Sequence, residues 1–162
     1  MTSTLPEEVL DLIEMSPVED LLLALLPDKL PGVMVSTFIE DEQSFPLALV
    51  RSSGSWGNWA GDERFLDAAT ISVGTFADGP NADEDAALLA EAIRVTLRDS
   101  RNIVVPRRGY IVSVEMTERP RRVTDWATST GPVQYADLPT GVFRWETTYH
   151  VIIKKPAVKP FS

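Results

Sequence analysis

The run Val142 to Lys155 alternates in side-chain character, and no other stretch of the chain limits its fold as much. Phe143, Trp145, Thr147, Tyr149, Val151 and Ile153 hold the odd positions, and Arg144, Glu146, Thr148, His150 and Lys154 hold even ones. A period of two sends successive side chains to opposite faces of an extended chain, so the run reads as a strand with one packed face and one wet face. Tyr110 to Thr117 repeats the pattern, with Tyr110, Val112, Val114 and Met116 on one side and Ser113, Glu115 and Thr117 on the other. Joined through the basic and aromatic segment Glu118 to Gly141, the two strands make a hairpin that reaches beyond its own core. Compact domains keep connections short unless something else contacts them, so the excursion points to assembly rather than to catalysis.

Elsewhere the period changes to that of a helix. Ser16, Pro17 and Glu19 form a helix start, with Ser16 as cap, Pro17 in the first turn and Glu19 returning a bond to the cap. Val18, Leu21, Leu22, Leu25 and Leu26 make one apolar stripe, which Pro27 is expected to end. A shorter helical turn over Pro6 to Met15 precedes it, with Val9, Leu10 and Ile13 inward. Val33 to Ile39, Leu47 to Arg51 and Ala69 to Phe76 read as three strands from their β-branched content. A second helix begins at Asn81 as cap, carries Asp83, Glu84 and Asp85 at its positive end, and approaches Arg94, Arg98 and Arg101 at its negative end. Ala86, Leu89, Ala90, Ile93 and Leu97 form its core stripe, and Leu88, Ala92 and Val95 widen the apolar surface on another side. The resulting order predicts an α+β fold, with two main helices packed on an antiparallel or mixed sheet and a long hairpin excursion near the C-terminus. Residues 1–155 are expected to form one domain and residues 156–162, with Pro156 and Pro160, a flexible tail.

At 162 residues the chain can bury a core without staples, and its 44% hydrophobic and 24% charged content is that of an ordinary globular protein. The longest apolar run, Leu21 to Leu26, is far too short to cross a bilayer, so no membrane partner is expected. Glu7, Glu8 and Asp11 stand where a signal peptide would carry basic residues, so export by that route is not expected either. The net charge of −9 argues against general binding to nucleic-acid phosphates. That charge is unevenly spread: acid dominates Pro6 to Glu42 and Asp78 to Glu91, whereas Arg94 to Arg122 is rich in arginine. One molecule with an acidic part and a basic part can attract its own copies head to tail, although solvated faces of one sign explain such runs equally well.

The residues do not assemble into a known reaction centre. His150, the only histidine, lies within the last strand with no serine elbow to accompany it, so a sheet-surface role fits better than that of a base. One histidine and no cysteine leave only carboxylates for a zinc ion. Asp62, Glu63 and Asp67 cluster near a Gly- and Ser-rich loop, Ser52 to Asp67, but lack the spacing of a calcium loop, and a solvated turn accounts for them. Gly54, Gly57 and Gly61 precede no Lys-Ser/Thr pair, so a phosphate cradle is not formed and no cofactor is expected. What remains is aromatic and basic. Trp56 and Trp59 in the first loop serve equally as core plugs or interface anchors. Trp126 beside Arg119, Arg121 and Arg122 reads as an interface.

Taken together, the segments resemble the tail terminator proteins of long-tailed bacteriophages, also called tail completion or minor tail proteins. The resemblance rests on Val18 to Pro27 leading into Gly32 to Thr37, on Phe45 to Arg51, on Ala69 to Phe76, on the acidic-started helix ending Ala92 to Leu97, and on Tyr149 to Ile153. It is carried by order and spacing over most of the chain. The resemblance implies a structural virion protein, without catalytic residues or cofactor, that forms a hexameric ring on the tail tube, ends the tube's growth and offers a docking surface to the head. Its implied partners are further copies of itself, the tail tube protein and the head–tail connector proteins, with DNA passing through the lumen but no sequence-specific contact to it. A head-closure or adaptor protein and a tube subunit are the neighbouring alternatives; a small hydrolase or a monomeric ligand-binding domain stands further off.

Overall fold

A computed structural model of the chain describes residues 3–54, 66–123 and 141–161. Its elements follow the order α1 (Glu7–Leu10), α2 (Val18–Lys29), β1 (Met34–Ser36), β2 (Leu47–Gly54), β3 (Leu66–Ala77), α3 (Ala82–Asp99), β4 (Tyr110–Arg122) and β5 (Phe143–Lys154). The strands form one sheet in the order β1-β2-β3-β5-β4, with β1 and β2 parallel and the other neighbours antiparallel. The fold is therefore α+β on a mixed sheet. β4 and β5 pair antiparallel, and residues 124–140 of the excursion between them, and with them the expected long hairpin, lie outside the described residues.

Helix periodicity located the core. All five residues of the α2 stripe are buried, as are Ala86, Leu89, Ala90, Ile93 and Leu97 of α3. The α2 stripe with Leu89, Ile93 and Leu97 packs against Ala48, Val50, Ala69, Ile71, Val73, Tyr149, Val151 and Ile153 on one face of the sheet, and Ala86 joins Ala77 and Ala82 beside Trp145. The second α3 stripe is not a core: Leu88 is 58% exposed and Ala92 faces solvent. Likewise Val9 of α1 is exposed while Leu10 and Ile13 are half-buried, because a four-residue helix presents too little face to bury all three.

The helix ends differ from the expected ones for local reasons. Pro17 is itself the last residue before α2, with an extended backbone (φ −55°, ψ 145°), so Ser16 stands one position too far out to cap the first turn. The buried Ser16 hydroxyl instead donates to the Arg107 carbonyl at 3.5 Å, and Glu19 accepts the backbone N–H of Ser52 in β2 at 2.6 Å. Pro27 does not end α2. A proline removes a single helix donor, and in the last turn that loss is tolerated while Leu30 N–H still bonds to Leu26 C=O at 3.0 Å. Asn81 precedes α3 without a side-chain cap, since its backbone (φ −113°, ψ 27°) is not the extended form that folds the amide back onto the first turn.

The expected wet face of β5 holds only for part of the strand. Thr147, Tyr149, Val151 and Ile153 are buried against the helices, but Phe143 is 45% exposed while Arg144 and Glu146, on the opposite face, are 2% and 5% exposed. A second apolar cluster lies on that opposite face. Leu47, Leu49 and Phe76 point away from the helices and are packed by Ile39, Phe45 and Val142, so the sheet is covered on both faces at this end. Arg144, paired in register with Phe76, lies with its guanidinium 5.9 Å from that ring's centre. In β4 the simple alternation is broken by register shifts between Ile111 and Ser113, Met116 and Glu118, and Glu118 and Arg121. Ile111 is consequently buried and Val112, expected on the same side as Val114 and Met116, is exposed, while Val114 and Met116 do reach the core. No helix among the described residues is long and apolar enough to cross a membrane.

Candidate assembly surface

Strand pairing fixes where the charged residues of the chain stand. Asp67 pairs with Ile153 and Arg121 with Glu146, so the two lie seven residues apart along β5, roughly 23 Å at about 3.3 Å per residue. The β3–β5–β4 unit thus has two distinct ends.

At one end β4 finishes in arginines. Arg122 donates from Nε and Nη2 to both carboxylate oxygens of Asp83, at 2.8 and 2.5 Å, and its guanidinium stacks 5.3 Å from the centre of the Trp145 ring. The Trp145 indole N–H also donates to Asp83, at 3.1 Å. These contacts, the arginine bond foremost, hold the Asp83 carboxyl below its ordinary range. Arg121 reaches the buried Glu146 at 3.6 Å, and Glu146 also accepts from Ser72 Oγ at 2.9 Å. Arg119 is exposed. Of the expected interface residues, then, Arg119, Arg121 and Arg122 are brought to one strand end, and two of the three are already held by acids of their own chain. Trp56, Trp59 and Trp126 lie outside the described residues. The tryptophan found beside Arg122 is Trp145, which its strand position had assigned to the core.

At the other end the segment expected as a tail lies against the start of the chain. Pro156 is buried, Lys159 Nζ donates to the Asp11 carbonyl at 2.7 Å, and Arg107 donates to the Lys159 carbonyl at 3.3 Å. Arg108 pairs with Asp20 of α2 at 3.1 Å. Between these segments opens a groove of about 450 Å3 with Leu5, Leu10, Ile13, Met15 and Phe161 on its walls, together with Asp67. Partial burial raises the Asp67 carboxyl, against a smaller lowering by the Ala68 backbone N–H. Phe161 was missed in the sequence, because one aromatic in a proline-bounded segment carries no periodic signal.

Among the other candidates, Asp62 and Glu63 lie outside the described residues, and the described residues hold no group of three His, Cys, Asp or Glu side chains placed to bind a metal ion. His150 sits on the sheet surface, in register with Thr70 and Glu115. The arrangement offers charge and shape for contact with another molecule at either end of one rigid strand pair. No protein-family model matches the chain, and no curated protein matches it.

Proposed function

We propose that this chain is a structural subunit of a bacteriophage tail: a terminator that forms a ring on the tail tube, ends its growth and presents a surface for head joining. The observation that carries this reading is the edge strand β4. A thirteen-residue edge is a template for adding another strand, yet this one is interrupted by three register shifts, carries Pro120 near its end and finishes in exposed arginines. Each of those devices discourages strand-on-strand addition. An edge of that kind suits a subunit that stops a polymer better than one that propagates it. The order and spacing of the segments resembling tail terminators support the same reading.

Sedimentation velocity and electron microscopy of the purified chain test it. Closed rings of one stoichiometry are the expected result, seated at tube ends when tail tubes are added. Stacking into tubes without limit would instead identify a tube subunit, and a monomer at every concentration and with every tube preparation would overturn the assignment.

A further inference from the structure

We propose that the groove around Asp67 receives the Arg119-Pro120-Arg121 end of β4 from a second copy of this chain, so that neighbouring subunits join head to tail. The inference rests on the ring reading above and names the contact that would build it.

Geometry excludes the same contact within one molecule. Asp67 and Arg121 are pinned at opposite ends of β5 by the register of β3 and β4. A groove at one end and an arm at the other make a heterologous pair of surfaces, and repetition of such a contact gives a closed ring when the rotation closes. The chemistry is complementary. The groove has apolar walls and, on Asp67, a carboxylate that makes no ion pair among the described residues. The arm offers a half-buried proline ring beside the exposed guanidinium of Arg119, which makes no ion pair among the described residues. Arg121 and Arg122 are already engaged by Glu146 and Asp83 of their own chain, so Arg119 is the cation offered to a neighbour. An arginine entering the groove would give the Asp67 carboxyl a cationic partner and exchange groove water for the proline and the arginine stems.

Charge exchange in the full-length chain tests the contact, read by sedimentation velocity and electron microscopy. Asp67→Arg and Arg119→Asp should each raise the concentration needed for ring formation about tenfold or more, with circular dichroism and melting temperature unchanged. Combining the two in one chain, or mixing the two single variants, should restore rings, because every joint again holds one cation and one carboxylate. Should Asp67→Arg fail to fold, Asp67→Asn and Arg119→Gln serve in a double-mutant cycle, where a combined effect smaller than the sum supports the contact. Rings that form normally in both single variants, losses that the exchange does not restore, or strictly additive losses in the cycle overturn the groove contact and leave the ring reading standing. Wild-type protein that forms no ring under any condition overturns both.

Discussion

Arg122 at the end of β4 forks onto Asp83 in the first turn of α3, 39 positions earlier in the chain, with bonds of 2.8 and 2.5 Å. The pair ties the start of the excursion to the positive end of a helix, where a carboxylate already gains from the helix dipole. It also means that one of the basic residues expected to face a partner is committed to its own fold.

The pair makes the fold sensitive to acid in a defined direction. Asp83 has a lowered pKa in the folded state, chiefly through Arg122. Its contribution is therefore fully present above the unfolded carboxyl's pKa of about 3.9 and is lost as pH falls through the lower, folded value. Thermal melts of wild type and Asp83→Asn should differ by a constant amount from pH 7 down to about pH 5 and converge below about pH 4. A difference that persists unchanged at the acid end would assign the effect to packing rather than to charge.

Tyr149 lies fully buried in β5, and its hydroxyl meets no hydrogen-bond partner among the described residues. Burial pushes its pKa up to about 12. The raised value belongs to an acid kept neutral, so the associated stability is full below the free phenol's pKa of about 10 and is lost as pH rises toward the folded value. Tyr149→Phe should be neutral or stabilising by up to about 1 kcal/mol at pH 7, since it removes a polar group left dry. In a phenolate absorbance titration the step near pH 12 should vanish in that variant; a clear loss of stability would point to a partner for the hydroxyl.

Two glycines with the same backbone angle separate strain from crowding. Gly79 and Gly109 both have φ of +91°, but a Cβ on Gly79 would meet nothing within 4 Å, whereas one on Gly109 would sit 1.9 Å from the Lys154 carbonyl oxygen. Gly79→Ala should cost about 1–2 kcal/mol, the ordinary penalty of a left-handed alanine. Gly109→Ala should cost clearly more, because Tyr110 could then no longer pair with Lys154 without moving the start of β4. Urea unfolding reads both, and equal costs would argue against the close approach.

Self-assembly should depend on salt. A net charge of −9 makes copies repel. Raising ionic strength from about 0.01 to 0.15 M shortens the Debye length from about 30 to 8 Å and should promote rings. Sedimentation over that series measures the change; a ring population that does not respond would mean that charge does not limit assembly.

Local periodicity determined the elements of this protein, and long-range geometry decided what they do together. The stripes of α2 and α3 and the core half of β5 are written in the sequence because one regular burial environment acts along each, and side-chain spacing records it directly. The dry setting of Arg144 and Glu146 is not, since it belongs to a face of the sheet whose apolar cluster joins Leu47, Leu49 and Phe76 to Ile39 and Phe45, from segments remote in the chain. The alternation in β4 likewise misplaced Val112: a register shift moves a side chain to the other face without altering the sequence pattern. The charges of the candidate surface could be read from the chain, but not their allocation. Only the pairing of β3, β5 and β4 set Asp67 and the arginines at opposite ends, and only packing of α3 against that unit brought Asp83 to Arg122.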